Sequence, residues 1–350
     1  MIDHEYSSKE CVYPVKLMNL SRADNKTEKY YIKQDICNIY NVCYMNSSIQ
    51  CLFHLKDFIH NILSCKGGKL IDATTNLLKD MLKLKNKGRI LSVTKIKEEM
   101  GEKFKIYDED NQEDAKVFII NYLDLLHKEI SNKNNTQKII PKYNEDDKEC
   151  FIKFYYKFCN KKGSSFIIDL FYGILRTKKY CIDCKILFSK NFSSFNILEL
   201  PIYDLSINNN SVIDFYDILK SYISPKTICN LTCGKCGKQV VSLTEIYFLP
   251  KYLIIYFGRC FDEVFIGNSI KFPKIIDFKK FLINEIDNNY IYNLKSIIFY
   301  RKIGKNGHYS ASCLNNNNWI YFDDQYVGEF DQNSFNEIPI ILFYEKENKN

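Results

Sequence analysis

Apolar positions in residues 43–53 recur with helical spacing. Met45, Ile49, Leu52 and Phe53 share one face, which predicts a helix beginning near Cys43. Residues 69–129 read as several amphipathic helices. Leu77, Leu78, Met81, Leu82 and Leu84 form one apolar stripe, and Val117, Phe118, Ile120, Leu123, Leu125 and Leu126 form a broader one. An acidic stretch, Asp108 to Asp114, lies between them, and residues 131–148 are polar and loop-like. From about residue 165 the pattern changes to strands: Phe166 to Ile168, Phe192 to Ile202, Val240 to Leu249, Leu253 to Phe257, Ile297 to Tyr300, Trp319 to Phe322 and Ile338 to Tyr344. Helices first and strands afterwards suit an α+β architecture. Residues 1–33 look like a short polar extension, and 34–346 read as one unit without repeats or a long linker.

Composition narrows the class. Of 350 residues, 46% are hydrophobic and 15% aromatic, which is globular and not disordered. The net charge of +7 comes from 49 basic and 42 acidic residues scattered along the chain. Such dispersion favours an ordinary solvated surface over a nucleic-acid groove. No run of about 18 apolar residues is present, so no membrane span is expected. The start, Met-Ile-Asp-His-Glu, lacks the apolar core of a secretory signal. The chain is therefore expected inside the cell, in cytoplasm or nucleus. There, 14 cysteines serve as thiols, metal ligands or a nucleophile before they serve as disulfides.

Two of the cysteine spacings carry chemistry. Cys181-Ile182-Asp183-Cys184 and Cys233-Gly234-Lys235-Cys236 are both C-x-x-C turns. Each turn can aim two thiolates at one ion, and two turns complete a closed, structural zinc site of four cysteines. Cys229 is a spare candidate ligand, and two unrelated turns are the alternative. The chain between the pairs would have to leave as strands and return to the same place.

Cys43, at the start of the first predicted helix, has the placement of a nucleophile, because first-turn amides favour a thiolate. Cys51, two turns on, reads as core. Asn38 precedes Cys43 by five residues; it is either an oxyanion donor or a plain turn residue. His4, His54, His60 and His127 all lie in the extension or in predicted helices. His308 instead enters a strand after Gly307, and a following strand ends in Asp323-Asp324. Pairing those strands would bring Asp323 beside His308, the Cys-His-Asp form of the triad arrangement.

These residues carry a resemblance to ubiquitin-specific proteases, over about residues 34–345. The run Asn38-Ile39-Tyr40-Asn41-Val42-Cys43-Tyr44-Met45-Asn46-Ser47 resembles that family's cysteine box. Gly307-His308-Tyr309-Ser310-Ala311 with Trp319 to Asp324 is similar to its histidine box. Gln112-Glu113-Asp114-Ala115, Phe171-Tyr172-Gly173 before the first C-x-x-C, Leu249 to Ile255 with Arg259, and the closing Leu342-Phe343-Tyr344 resemble further landmarks. The departures are Tyr40 for Gly, Val42 for Thr, Val117 for Glu, Cys260 for Phe, Tyr300 for a His and Lys302 for Gly.

The resemblance implies a papain-like peptidase shaped as a hand. A helical thumb would cover about 34–165, zinc-bearing β fingers 166–250 and a β palm 251–346. It implies Cys43 as nucleophile, His308 as base, Asp323 as its orienting partner, Asp324 as a supporting carboxylate and Asn38 as oxyanion donor. It assigns Asp114 and Tyr309 to substrate, and zinc to Cys181, Cys184, Cys233 and Cys236. The implied reaction is hydrolysis after the C-terminal glycine of ubiquitin, by a monomer whose partners are ubiquitin and ubiquitinated proteins. Alternatives are an inactive ubiquitin-binding scaffold, a peptidase for another ubiquitin-like modifier, and a zinc-finger nucleic-acid binder, the last lacking any basic helix.

Overall fold

A computed structural model describes residues 36, 38, 41–83, 91–131, 143, 145–206, 212–283, 290–304, 306–329 and 338–347. The expected extension 1–33, Tyr40, Leu84 and most of the predicted loop 131–148 lie outside them. The first part of the chain is helical: α1 (Cys43–Leu52), α2 (Lys56–Ser64), α3 (Lys69–Leu82), α4 (Thr94–Gly101), α5 (Ala115–Ile130), α6 (Lys148–Lys162) and α7 (Phe166–Phe171). Then follow β1 (Gly173–Cys181), β2 (Leu187–Phe195), β3 (Leu198–Pro201), α8 (Tyr203–Ser206), β4 (Val212–Asp214), α9 (Phe215–Tyr222), β5 (Lys226–Thr232) and β6 (Gln239–Phe248). The last part holds β7 (Tyr252–Gly258), β8 (Cys260–Phe261), β9 (Val264–Phe265), β10 (Ser269–Lys271), β11 (Ile275–Asp277), β12 (Ile291–Ile303), β13 (Asn306–Asn315), β14 (Asn318–Asp323), β15 (Tyr326–Glu329) and β16 (Ile338–Lys346). The α+β expectation holds.

Phe166 to Ile168, expected as strand, open α7 instead. A short apolar run carries no period that separates strand from buried helix, and here tertiary contacts decide. The carbonyl of Ser165 accepts from the N–H groups of Ile168 and Asp169. Phe171 then wedges between Phe58 and Tyr252, with ring centroids 5.9 and 5.8 Å away.

α1 is buried along its whole length, between α5 on one side and β12 and β13 on the other. Its two serines survive there because they are bonded locally. The hydroxyls of Ser47 and Ser48 donate to the Tyr44 carbonyl, at 3.2 and 2.6 Å. Tyr44 itself packs edge-on against Phe118 of α5. Helix and sheet therefore share one apolar core, which locks the start of α1 against the strands opposite.

Those strands form a sheet in the order β15-β14-β13-β12-β16-β7-β3, with β11 also on β12. Neighbours run antiparallel except β3, which lies parallel to β7. β13 pairs with β12 from Asn306 to Cys313. With β14 it pairs only from Ala311 to Asn315. The first half of β13 therefore has no β14 partner on its outer edge.

A second, four-stranded sheet has the order β2-β1-β6-β5 and projects both C-x-x-C turns from its tips. Its base is pinned by charge. Buried Asp147, just before α6, accepts from Arg176 and from Lys190 at 2.8 Å. Arg176 also reaches Glu245 at 2.8 Å, and Lys178 reaches the same carboxylate at 3.1 Å. Phe151 of α6 seats beside Phe192 and Tyr247, 5.3 and 5.2 Å between centroids.

Candidate active site and cysteine cluster

Cys43 is the first residue of α1, where unpaired backbone N–H groups gather and favour an anion. No side chain of the preceding residue, Val42, caps the helix. Asn38 takes over: its Oδ1 accepts from the Val42 N–H at 2.8 Å, and its Nδ2 donates to Asp324 Oδ2 at 2.8 Å. A carboxamide nitrogen has two hydrogens, so Asn38 has a second donor beside the start of the helix.

Across the cleft, β13 presents His308. The β13–β14 hairpin folds Asp323 back so that its Oδ1 bonds His308 Nε2. Cys43 is the second group, after Asp323, that makes the imidazole hold its proton more tightly. With Nε2 turned to the carboxylate, Nδ1 is the ring nitrogen left for the thiol. The imidazole is pushed up to about 10, by the Asp323 bond first and the Cys43 contact second, against the opposing effect of burial. At neutral pH the ring therefore holds a proton.

Asp324 sits in the left-handed region, with φ of 50°. That turn aims its carboxylate at the loop before α1. Oδ1 accepts from Asn46 Nδ2 at 2.9 Å, Oδ2 accepts from Asn38, and His308 Nε2 is 3.9 Å away. Burial pushes its carboxyl up, opposed by the Asn46 bond. One carboxylate thus ties Asn38, Asn46 of α1 and the end of β14 into one frame. His308, Asp323 and Asp324 lie within 4.8 Å of one another, a grouping that could in principle ligate a cation. Here the nitrogen facing the carboxylates carries a proton and has no lone pair to give.

The two expected substrate residues occupy structural positions. Asp114 is the N-cap of α5, with Oδ1 accepting from the Lys116 and Val117 N–H groups at 2.7 and 3.1 Å. Its Oδ2 has no bond among the described residues. Tyr309 is buried and packs near Tyr300 with centroids 5.0 Å apart.

Two residues of the site had been given no role from sequence: Asn46, described above, and Gln112. Gln112 Nε2 lies 3.3 Å from Cys43 Sγ and donates to the Gly307 carbonyl, while the Gly307 N–H donates to Oε1 at 2.9 Å. Both lie inside runs that matched the family, which is the signal that could have found them.

At the fingertips, Cys181, Cys184, Cys233 and Cys236 converge, with sulfurs within 4.8 Å of one another. Three of the separations are 3.4 Å (Cys181 to Cys236), 3.6 Å (Cys184 to Cys233) and 3.7 Å (Cys184 to Cys236). A tetrahedron with metal–sulfur bonds of about 2.3 Å has edges of about 3.8 Å, so the four thiols fit one such ion. Cys229 is exposed and outside the cluster.

A thiol on a helix start, an imidazole bonded to a carboxylate, and nearby amide donors are the groups that acyl transfer by a cysteine nucleophile requires. The family described as ubiquitin carboxyl-terminal hydrolase matches residues 34–344, and the chain belongs to it. Similar proteins include the probable ubiquitin carboxyl-terminal hydrolase 4 of Schizosaccharomyces pombe, 27% identical over 95% of this chain and 62% of its own. The Usp2 hydrolase of Drosophila melanogaster is 26% identical over 88% of this chain and 34% of its own. The chain thus spans between a third and two thirds of the length of these relatives. Among solved structures, a chain of the SAGA DUB module Ubp8/Sgf11/Sus1/Sgf73 bound to monoubiquitin shares the fold, with a TM-score of 0.69 and 19% identity over 91% of this chain and 70% of that one. No helix among the described residues is long and apolar enough to cross a membrane.

Proposed function

We propose that this protein is a deubiquitinating thiol protease that hydrolyses the bond after the C-terminal glycine of ubiquitin. The observation that carries the reading is the His308 imidazole bonded to Asp323, with Cys43 the second group that holds its proton, in a chain of the ubiquitin carboxyl-terminal hydrolase family. Cys43, as thiolate, attacks the carbonyl carbon of the terminal glycine. Asn38 and backbone N–H groups receive the negative charge on oxygen, each donor contributing roughly 3 kcal/mol. His308 delivers its proton to the departing lysine amine as the acyl-enzyme forms. It then takes a proton from the water that releases ubiquitin. Asp323 keeps the ring in its orientation, and Asp324 keeps Asn38 in place.

The fingertip thiols would hold zinc, and that ion would supply a structural crosslink between the β1–β2 and β5–β6 turns. Asp114, with only one carboxylate oxygen committed to the helix, would attract a basic residue of the ubiquitin tail. One chain supplies every group in the triad and the cysteine cluster, which supports action as a monomer. The described cysteines are free thiols, which fits an intracellular setting. Purified protein should cut lysine-linked diubiquitin to monomer, and Cys43→Ala should not. Failure of the wild type, properly folded, would refute the activity.

A further inference from the structure

Gln112 is held in place at the centre of the cleft by contacts that the hydrolytic steps above do not use. Its carboxamide pairs reciprocally with the backbone of Gly307, receiving from the N–H at 2.9 Å and donating to the carbonyl. The same Nε2 is 3.3 Å from Cys43 Sγ. Gly307 lies on the half of β13 whose outer edge has no β14 partner. A carboxamide offers the same donor and acceptor as a peptide group. Gln112 therefore fills one ladder position on an open strand edge, the position from which an extended chain would reach Cys43. Gly307 is also the residue that this packing demands. A Cβ there would lie 2.0 Å from Tyr300 Cε2 and 2.1 Å from its hydroxyl oxygen, so the outer end of that ring would have to move.

We propose that Gln112 is a substrate-mimicking latch. In the free protein its side chain stands in for the backbone of the incoming tail and bridges thumb to palm over the nucleophile. An extended peptide opens the cleft by replacing the two Gly307 bonds with two of its own. Because two hydrogen bonds are exchanged for two, the swap is close to neutral, and the latch slows entry without forbidding it. Only the identity of the displacing chain, the ubiquitin tail, rests on the function proposed above.

The test compares wild type, Gln112→Ala and Gln112→Asn, the last keeping the amide but shortening its reach. Alkylation of Cys43 by iodoacetamide, which needs no ubiquitin, should accelerate about thirtyfold in both variants, as expected for losing two closing hydrogen bonds worth about fivefold each. With a ubiquitin C-terminal amide substrate, KM should fall in both. Unchanged alkylation together with a raised KM would make Gln112 an ordinary substrate contact and overturn the latch. Unchanged alkylation and unchanged KM would overturn it equally. Faster alkylation in both variants without any turnover of the ubiquitin substrate would uphold the latch while refuting the function.

Discussion

His308 is the residue on which the site's electrostatics turn. Its proton is held up to about 10 by Asp323 and Cys43, against an ordinary value of 6.5. Folded protein therefore keeps a proton that unfolded protein gives up in that interval, and stability must fall as pH rises through it. The contribution is complete below 6.5 and gone above about 10. Urea unfolding of wild type and His308→Gln should show the larger gap near pH 6 and a narrower one near pH 10. A gap that is constant, or that widens with pH, would contradict the placement of the proton. Asp114 separates two effects in the same way. Asp114→Asn keeps a good N-cap, so stability should hold while KM for a ubiquitin substrate rises about tenfold, the effect of losing roughly 1.4 kcal/mol. Asp114→Ala should in addition cost about 1 kcal/mol of stability. Unchanged KM in the asparagine variant would confine Asp114 to capping.

At the level of elements, the finger sheet depends on its tips. It has a charged base around Arg176 and Asp147, but its far end has only a small core of Cys181, Cys233 and Val240. The four thiols gathered at that end need a cation to bind together as thiolates. The purified protein should carry close to one zinc per chain. Cys233→Ser should lose the ion and lower Tm by about 5–10 °C, with faster amide exchange concentrated in β1, β2, β5 and β6. Full stability without metal would contradict this. These elements also show what a sequence can reveal. Helical spacing located α1, α3 and α5, because in each the apolar residues repeat along one face. It misassigned α7, whose six residues are too few to express a period. The cysteine turns were legible because their spacing is local chemistry. The Gln112–Gly307 bridge joins residues 195 apart, and Asp324 meets Asn38 across 286. No local pattern encodes such contacts, so they become visible only when the sheet is assembled.

The molecule as a whole places Cys43 on a buried helix against a sheet that carries His308. The shared core of α1, α5, β12 and β13 holds the two sides together, so the triad is set by packing of the entire domain. An inactive scaffold would need none of this alignment. The most direct measurement is reaction with ubiquitin bearing a thiol-reactive group at its C-terminus. Wild type should form one covalent adduct at Cys43, and Cys43→Ala none. A folded wild-type protein that forms no adduct, or an adduct that survives in Cys43→Ala, would contradict the account.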